Sequence, residues 1–236
     1  MTPIVYAAAA GAALGVSHHL GPQFLRKLQE RKLRDACRKH RCLVITYDDG
    51  PTPSLTPELL AVLGRHDAVA TFYMLGNRVA ERRELFERIH EAGHEIGSHS
   101  FEHHNAWKVS PWRAIEDLQR GHAALAPWQG EGALYRPPFG KLTVPAWLAV
   151  RRQGMRLGWW THDSRDSHGT RVEPDDLAQS IVDDGGGVVL MHDFEKPGHT
   201  DYAVAATDAL LARAKAEGIT VTTQGQLLDR EQGRGT

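Results

Sequence analysis

Short apolar runs and stretches with helically spaced apolar residues follow one another along this chain. Residues 43–47 form the clearest run, which is rich in β-branched side chains and ends at an Asp-Asp-Gly-Pro turn. This pattern predicts a buried strand. Three leucines in residues 59–63 come after Thr56 and Pro57, and their spacing predicts a helix with Thr56 as its N-cap.

The same two patterns alternate through the rest of the chain. This order predicts parallel strands joined by right-handed helical crossovers, either closed into a barrel or left open as a doubly wound sheet. Further strands are predicted over residues 69–75, 94–98, 133–135, 155–160, 188–191 and 219–222. Further helices are predicted over residues 81–92, 111–125, 143–154, 174–182 and 208–217.

Length and charge narrow the class of protein. A chain of 236 residues suits one α/β domain with a large core. The formal net charge of -1 gives no reason to expect nucleic acid as a partner. The two cysteines, Cys37 and Cys42, lie close together, and the second enters a strand, so we expect no disulfide framework and find a reducing compartment compatible.

The N-terminal segment suggests two interpretations. Residues 4–16 are apolar and uncharged, shorter than the roughly 20 residues of a membrane span, and no basic residue precedes them as a secretory signal requires. Residues 26–41 are strongly basic. The segment either makes peripheral membrane contact through residues 4–16, with the basic flank on the cytoplasmic side, or forms a packed helix followed by a solvated basic one. We expect a cytoplasmic or inner-membrane-face location, with a secreted or periplasmic one as the alternative.

Asp48 and Asp49 are the first candidate functional residues. Two adjacent carboxylates at the end of an apolar strand oppose each other's ionisation, so a compensating partner is expected. A divalent metal can bind one carboxylate and leave the other to accept a proton from water. Gly50 and Pro51 keep both side chains at the C-terminal edge of the strand, where α/β folds carry their chemistry.

Histidines follow the third predicted strand. His99 and His103 stand four residues apart, and one helical turn would place them on the same face. Two imidazoles and one carboxylate make the open three-ligand set of a catalytic zinc-type site. The neighbouring His104 has an offset that points it away.

Three other polar sites also follow predicted strands. Arg136 stands before two prolines that stiffen its loop, so its guanidinium can be aimed at a carboxylate. Asp166 comes after the Trp159-Trp160 pair, and His192 closes the last fully apolar strand. Because parallel strands share one carboxyl edge, we expect all five sites on one rim of the fold.

These five sites together resemble the ordered motifs of the polysaccharide deacetylase, or NodB-homology, family (carbohydrate esterase family four). The resemblance covers roughly residues 42–228, preceded by an apolar and basic helical extension, 1–41, and followed by a polar tail, 229–236. The motifs are Thr46-Tyr47-Asp48-Asp49-Gly50-Pro51, His99-Ser100-Phe101-Glu102-His103, Arg136-Pro137-Pro138-Phe139-Gly140, Asp163-Ser164-Arg165-Asp166 and Leu190-Met191-His192.

The resemblance implies a distorted (β/α)7 barrel and a metal-dependent hydrolase that removes an acyl group, usually acetyl, from an amino sugar. Zn2+ is the expected metal, with Co2+ or Ni2+ as alternatives. The implied metal ligands are Asp49, His99 and His103. The implied catalytic residues are Asp48 as general base, His192 as general acid, Arg136 beside Asp48 and Asp166 behind His192. The implied substrate contacts are the backbone N–H near Phe139 for the oxyanion and Leu190 for the acyl methyl group.

One position departs from the family pattern. The fourth motif usually continues with a tryptophan that walls the sugar groove, and here Ser167 stands there. Trp107 is the candidate replacement as a stacking surface. The leading hypothesis is a metal-dependent deacetylase of an N-acetylated sugar in a poly- or oligosaccharide. The alternatives are a deacylase or deformylase of a lipid-linked or cell-surface glycan precursor, and a non-catalytic glycan-binding domain.

Overall fold

The computed structural model describes the backbone of residues 3–233 and the side chains of residues 21–233. The predicted membrane contact through residues 4–16 lies outside the residues whose side chains are described. Among the described residues, no helix combines the length and apolar character that a membrane crossing requires.

Strands and helices alternate as the sequence pattern predicts. The strands within residues 3–233 are β1 Cys42–Asp48, β2 Thr71–Met74, β3 Glu95–Ser98, β4 Leu134–Tyr135, β5 Arg156–Leu157, β6 His162–Asp163, β7 Gly187–His192 and β8 Thr220–Val221. The α-helices are α1 Pro3–His40, α2 Thr56–Arg65, α3 Gly76–Glu81, α4 Arg83–Glu91, α5 Pro111–Leu125, α6 Val144–Arg152, α7 Pro174–Asp183, α8 His199–Ala216 and α9 Gln224–Glu231.

The strands form one parallel sheet in the order β5-β4-β3-β2-β1-β7-β6, with β8 also paired to β1. β5 and β6 are consecutive along the chain and stand at the two ends of this path, and no ladder joins them within the described residues. The sheet is therefore a curled, incomplete barrel that is open between β5 and β6. This confirms the distorted-barrel prediction rather than the doubly wound sheet.

β1 is buried on both of its faces. Leu43, Ile45 and Tyr47 pack into the largest apolar cluster, under helices α2 and α8. Val44 points the other way into a second cluster with Leu33 and Cys37 of α1. α1 is therefore packed against the sheet over this part, and the prediction of a solvated basic helix is wrong for its inner face. Both cysteines are buried and free, as expected.

Several boundaries differ from the sequence-based expectation. The helix predicted over residues 81–92 is α4, and a further short helix, α3, which the sequence pattern did not predict, precedes it and ends at Glu81. The strand predicted over residues 155–160 ends at Leu157, and beyond it the buried Arg136 donates to the carbonyl oxygens of Gly158 and Trp159.

The C-terminal part of the chain contains more helix than predicted. α8 begins at His199, nine residues before its predicted start. The predicted polar tail is partly helical, since α9 runs to Glu231 behind a capping box of Thr223 and Gln226.

The predicted N-cap of α2 is wrong. Thr56 is not the N-cap of this helix; the cap is Leu55.

Candidate metal and catalytic site

The three predicted metal ligands meet at the carboxyl end of the sheet. Asp49 follows β1, and His99 and His103 lie in the loop after β3. The Oδ1 atom of Asp49 is 3.6 Å from Nε2 of His99 and 3.3 Å from Nε2 of His103. One ligand atom from each residue lies within 4.8 Å of the others, which is close enough for a single ion.

The donor set fits a divalent metal. Nδ1 of His99 donates to the carbonyl oxygen of Arg136 over 2.8 Å, which leaves the Nε2 lone pair facing Asp49. Burial, together with the charge of His103, lowers the pKa of His99 to about 3, so the ring is neutral, as a ligand must be. Oδ1 of Asp49 is buried and has no hydrogen-bond partner among the described residues, and a metal would satisfy it.

The loop that carries His103 is not helical, so the helical-turn argument for this pair is wrong even though the two side chains meet. Its backbone is left-handed at Ser100, with φ 72°, and at His103, with φ 62°. Non-glycine residues adopt this region only when their surroundings hold them there.

Asp117 of α5 holds this loop and was missed by the sequence analysis. Its Oδ1 accepts from the backbone N–H groups of Phe101 and Glu102 at 3.2 and 2.6 Å. Its Oδ2 accepts from the N–H of His104 at 3.1 Å. Asp117 lies on the apolar face of α5 and is 3% exposed. The sequence signal that could have identified it is a carboxylate at a helical position where the spacing predicts an apolar residue.

Asp48 stays outside the metal triad because Arg136 holds it. Nη1 of Arg136 donates to Oδ1 of Asp48 over 2.7 Å and also to the hydroxyl of Thr46 over 2.7 Å. Oδ2 of Asp48 lies 3.7 Å from Nε2 of His99, so this free oxygen faces the metal position. Burial raises the pKa of Asp48, and the positive charge of Arg136 opposes that rise.

Arg136 is itself fully buried and held on several sides. Its guanidinium lies 4.0 Å from the ring centre of Tyr73, and Nη2 donates to the side-chain oxygen of Gln224 over 3.2 Å. A planar group fixed in this way cannot turn from Asp48 without leaving buried donors unpaired.

His192 lies opposite Asp48 on the neighbouring strand. The two residues are register partners in the β1–β7 ladder. Nδ1 of His192 donates to Oδ1 of Asp166 over 2.6 Å, and the backbone N–H of His192 donates to Oδ2 over 2.7 Å. Burial disfavours the imidazolium, but the hydrogen bond and charge of Asp166 outweigh it and raise the pKa of His192 to about 9.

Asp193 is a second missed residue, and it braces the turn that follows β1. Its backbone N–H donates to the carbonyl of Asp48 over 2.7 Å, and its carboxylate accepts from the hydroxyls of Thr52 and Thr56. A side chain at Gly50 would strike this carboxylate. The Asp-Gly-Pro-Thr turn is therefore fixed by the residue that directly follows β7, a contact that no local pattern shows.

The predicted substrate contacts lie around this centre with different exposures. The ring of Phe139 lies 4.5 Å from the ring of His103 and is 56% exposed. Leu190 is 5% exposed and pairs with Thr46 and Asp163 in the sheet. Trp107 is half-buried, and its Nε1 donates to the carbonyl of Leu142. Their roles toward substrate stay predictions.

A family model described as polysaccharide deacetylase matches residues 35–158. The chain belongs to the polysaccharide deacetylase family. It is therefore a hydrolase that acts on carbon–nitrogen bonds other than peptide bonds.

Individual members of the polysaccharide deacetylase family resemble most of the chain. A peptidoglycan-N-acetylglucosamine deacetylase of Bacillus cereus is 32% identical over 194 residues, which are 80% of this chain and 88% of that protein. A chitooligosaccharide deacetylase of Azorhizobium caulinodans is 31% identical over 155 residues, which are 64% of this chain and 73% of that protein. The crystal structure of a peptidoglycan N-acetylglucosamine deacetylase superposes with a TM-score of 0.70 at 26% identity and covers 80% of this chain and 89% of its own.

Proposed function

We propose that the protein removes the N-acetyl group from an N-acetylated amino sugar within a poly- or oligosaccharide. One observation carries this proposal: the free Oδ2 of Asp48 lies 3.7 Å from Nε2 of the candidate ligand His99, while Arg136 holds the other oxygen of Asp48. A carboxylate that is adjacent to a metal site yet not a ligand is placed to act as a base. Two similar proteins are named for deacetylation of N-acetylglucosamine in peptidoglycan and of chitooligosaccharides, which supports an amino sugar as the substrate.

Asp49, His99 and His103 would hold the metal, and Zn2+ suits this mixed nitrogen and oxygen donor set, with Co2+ or Ni2+ as alternatives. When bound, such an ion would polarise the acetyl carbonyl and lower the pKa of a water molecule to about 7.

The two sides of the site divide the proton transfers between them. Asp48 accepts the proton of the water that attacks the carbonyl carbon, and Arg136 aims its carboxylate and opposes the rise in its pKa that burial causes. His192 then donates a proton to the nitrogen of the leaving amine, and the charge of Asp166 keeps the imidazolium formed and oriented. Positioned acids and bases of this kind each contribute about 10²–10⁴-fold to rate.

Two neighbouring groups are proposed to bind the acetyl group itself. The backbone N–H near Phe139 donates to the developing oxyanion, an interaction whose loss costs about 3 kcal/mol of barrier in other acyl-transfer enzymes. Leu190 lines the space for the acetyl methyl group. A longer acyl chain should therefore react more slowly than acetyl.

The test is deacetylation of N-acetylglucosamine oligomers and of peptidoglycan, followed by mass spectrometry. The wild-type protein should release one acetyl group per site only when the metal is present, and zinc, cobalt or nickel should restore activity after chelation. Asp48→Asn should abolish turnover, whereas His104→Gln, next to a ligand but paired with Glu102, should retain it. Turnover that persists after the metal has been removed would refute the proposal.

The grouping of the three candidate ligands and the pairings of Asp48 with Arg136 and of His192 with Asp166 favour this proposal over the non-catalytic alternative. Ser167 is exposed where the family's tryptophan usually stands, so we propose a groove that is more open on this side. Comparing the deacetylation rates of chitooligosaccharides, peptidoglycan and lipid-linked precursors measures which glycan this groove prefers.

A further inference from the structure

The first described turns of α1 expose an unusual surface. Among residues 21–233, six large apolar side chains are exposed, and three of them, Phe24, Leu25 and Leu28, fall within one short stretch of α1, at 66%, 36% and 43% exposure. Residues three and four apart lie on the same side of a helix, so these side chains form one apolar patch. Single exposed apolar residues are ordinary, but a contiguous group indicates a contact surface.

Positive charge surrounds this patch. Lys27, Arg31 and Lys32 are exposed on the same side of the helix. The acidic residue in this stretch, Glu30, pairs with Arg26 at 2.6 Å and so adds little negative charge to the outer face. We call residues 24–32 with their outward side chains the α1 patch. Apolar side chains interleaved with exposed lysine and arginine match the headgroup region of an anionic bilayer.

The α1 patch lies at the catalytic edge of the barrel. Arg26 donates to the carbonyl of Gly140 over 3.1 Å and stacks 4.4 Å from the ring centre of Trp160. Gly140 directly follows Phe139, whose ring contacts the metal-site His103. Further along α1, Arg34 pairs with Asp184 at the opposite, N-terminal edge of the sheet. The helix thus runs from the catalytic rim to the far edge, with the patch at the rim.

A bilayer fits this surface better than a second protein. Lysine is depleted at the centres of protein interfaces, whereas two lysines and an arginine flank these apolar side chains. The apolar, uncharged residues 4–16 also precede the patch in the sequence, so the chain carries further apolar material toward the same end of α1.

We propose that the α1 patch docks on an anionic lipid bilayer and turns the catalytic rim toward glycans held at that surface. This proposal rests on the proposed function for its second half, since the substrate class is then an acetylated saccharide linked to lipid or held close to the membrane. The docking itself requires no catalysis.

Sedimentation of the full chain with vesicles tests the docking. The protein should bind vesicles of equimolar phosphatidylcholine and phosphatidylglycerol and bind pure phosphatidylcholine weakly. Phe24→Ser with Leu28→Ser, and separately Lys27→Glu with Arg31→Glu, should each weaken binding at least about tenfold. Trp112→Ser with Leu148→Ser, a matched change at exposed apolar residues of α5 and α6, should leave binding unchanged.

Three results would overturn the docking. The first is equal binding to both vesicle types, and the second is undiminished binding by the α1 variants. The third is a wild-type protein that self-associates in analytical ultracentrifugation while the α1 variants do not. The last would assign the patch to a second copy of the chain.

A paired assay separates this proposal from the proposed function. The Phe24→Ser, Leu28→Ser protein should deacetylate a soluble oligosaccharide at the wild-type rate but lose the rate advantage on a lipid-linked substrate in anionic vesicles. A wild-type protein that binds vesicles but deacetylates nothing would refute the function and leave the docking intact. Equal rates for wild type and variant on the vesicle substrate would refute the substrate class alone.

Discussion

His99, which is buried, and His192, which is partly buried, are two histidines of one site with opposite pKa shifts. Nδ1 of His99 donates to a neutral backbone carbonyl, and burial lowers its pKa to about 3. Nδ1 of His192 donates to the carboxylate of Asp166, which overcomes burial and raises the pKa to about 9. The group behind each ring therefore decides whether the other nitrogen offers a lone pair to a metal or a proton to a leaving group.

The comparison also separates the two halves of the site. The metal half consists of neutral rings and one carboxylate, and the proton-donating half is a charged ring on a buried acid. Both are needed for amide hydrolysis, because activation of water and protonation of the amine are different steps. Changes to one half should leave the other half's properties in place.

The largest effect is expected from His99→Gln. Loss of a direct ligand should weaken zinc binding more than the 10–100-fold typical of changes behind a ligand, and activity should fall to background. Calorimetric zinc titration of this variant beside His104→Gln measures the difference. Zinc affinity unchanged by His99→Gln would remove His99 from the metal site.

His192→Gln should lower kcat about 10²–10⁴-fold, because the leaving amine then lacks its proton donor. Zinc affinity should stay close to the wild-type value, since His192 is not in the ligand group. Steady-state kinetics and zinc titration on the same preparation check both parts. A parallel loss of zinc affinity would show that the halves are not separate.

Asp166→Asn should reverse the upward shift in the pKa of His192. Without the hydrogen bond and charge of Asp166, burial is opposed only by the charges of Asp48 and Asp49, so the pKa should fall from about 9 toward or below the ordinary 6.5. Because the protonated ring is the active form, wild-type kcat should decline as pH rises through about 9, and the variant should decline at lower pH. NMR titration of the metal-free proteins measures the pKa directly.

The raised pKa of His192 also affects folding stability. The folded-state pKa of His192 is raised, so its stabilising contribution is complete below pH 6.5 and is lost as the pH rises to about 9. Asp166→Asn should flatten this part of the stability curve. Urea unfolding across this pH interval checks it; an unchanged slope in the variant would contradict the assignment.

The smallest effect is expected from Asp117→Asn. The amide oxygen can still accept from two loop N–H groups, but the amide nitrogen cannot accept from His104, so His103 should be held less firmly. We expect zinc affinity to fall about tenfold and the visible spectrum of the cobalt-loaded protein to change. Glu116→Gln, at the adjacent exposed position of α5, is the control and should alter neither quantity.

Much of this arrangement was predictable from local pattern. Alternation of apolar strands and helices predicts a parallel sheet, and all parallel strands end at one edge. Asp48, His99, Arg136 and His192 each follow an apolar run, so their meeting follows from topology without knowledge of any contact. The fold and the list of candidate residues could therefore be read from the sequence.

The supports of the site could not be predicted in this way. Asp117 is 16 residues from the farthest loop N–H that it binds, and Asp193 is 137 residues from Thr56. Arg136 donates to the carbonyl oxygens of Gly158 and Trp159, 22 and 23 residues away. Such contacts join segments whose separation in sequence carries no signal of their proximity.

The sequence by itself determined which side chains reach the catalytic rim, because strand ends and turns are encoded by residues close to one another along the chain. Tertiary structure alone decided the protonation of each ring, the left-handed backbone at His103 and the exclusion of Asp48 from the ligand set. These properties depend on burial and on partners from other strands and helices. Burial and these partners exist only once the chain has folded, so their effects on pKa and backbone conformation arise only then.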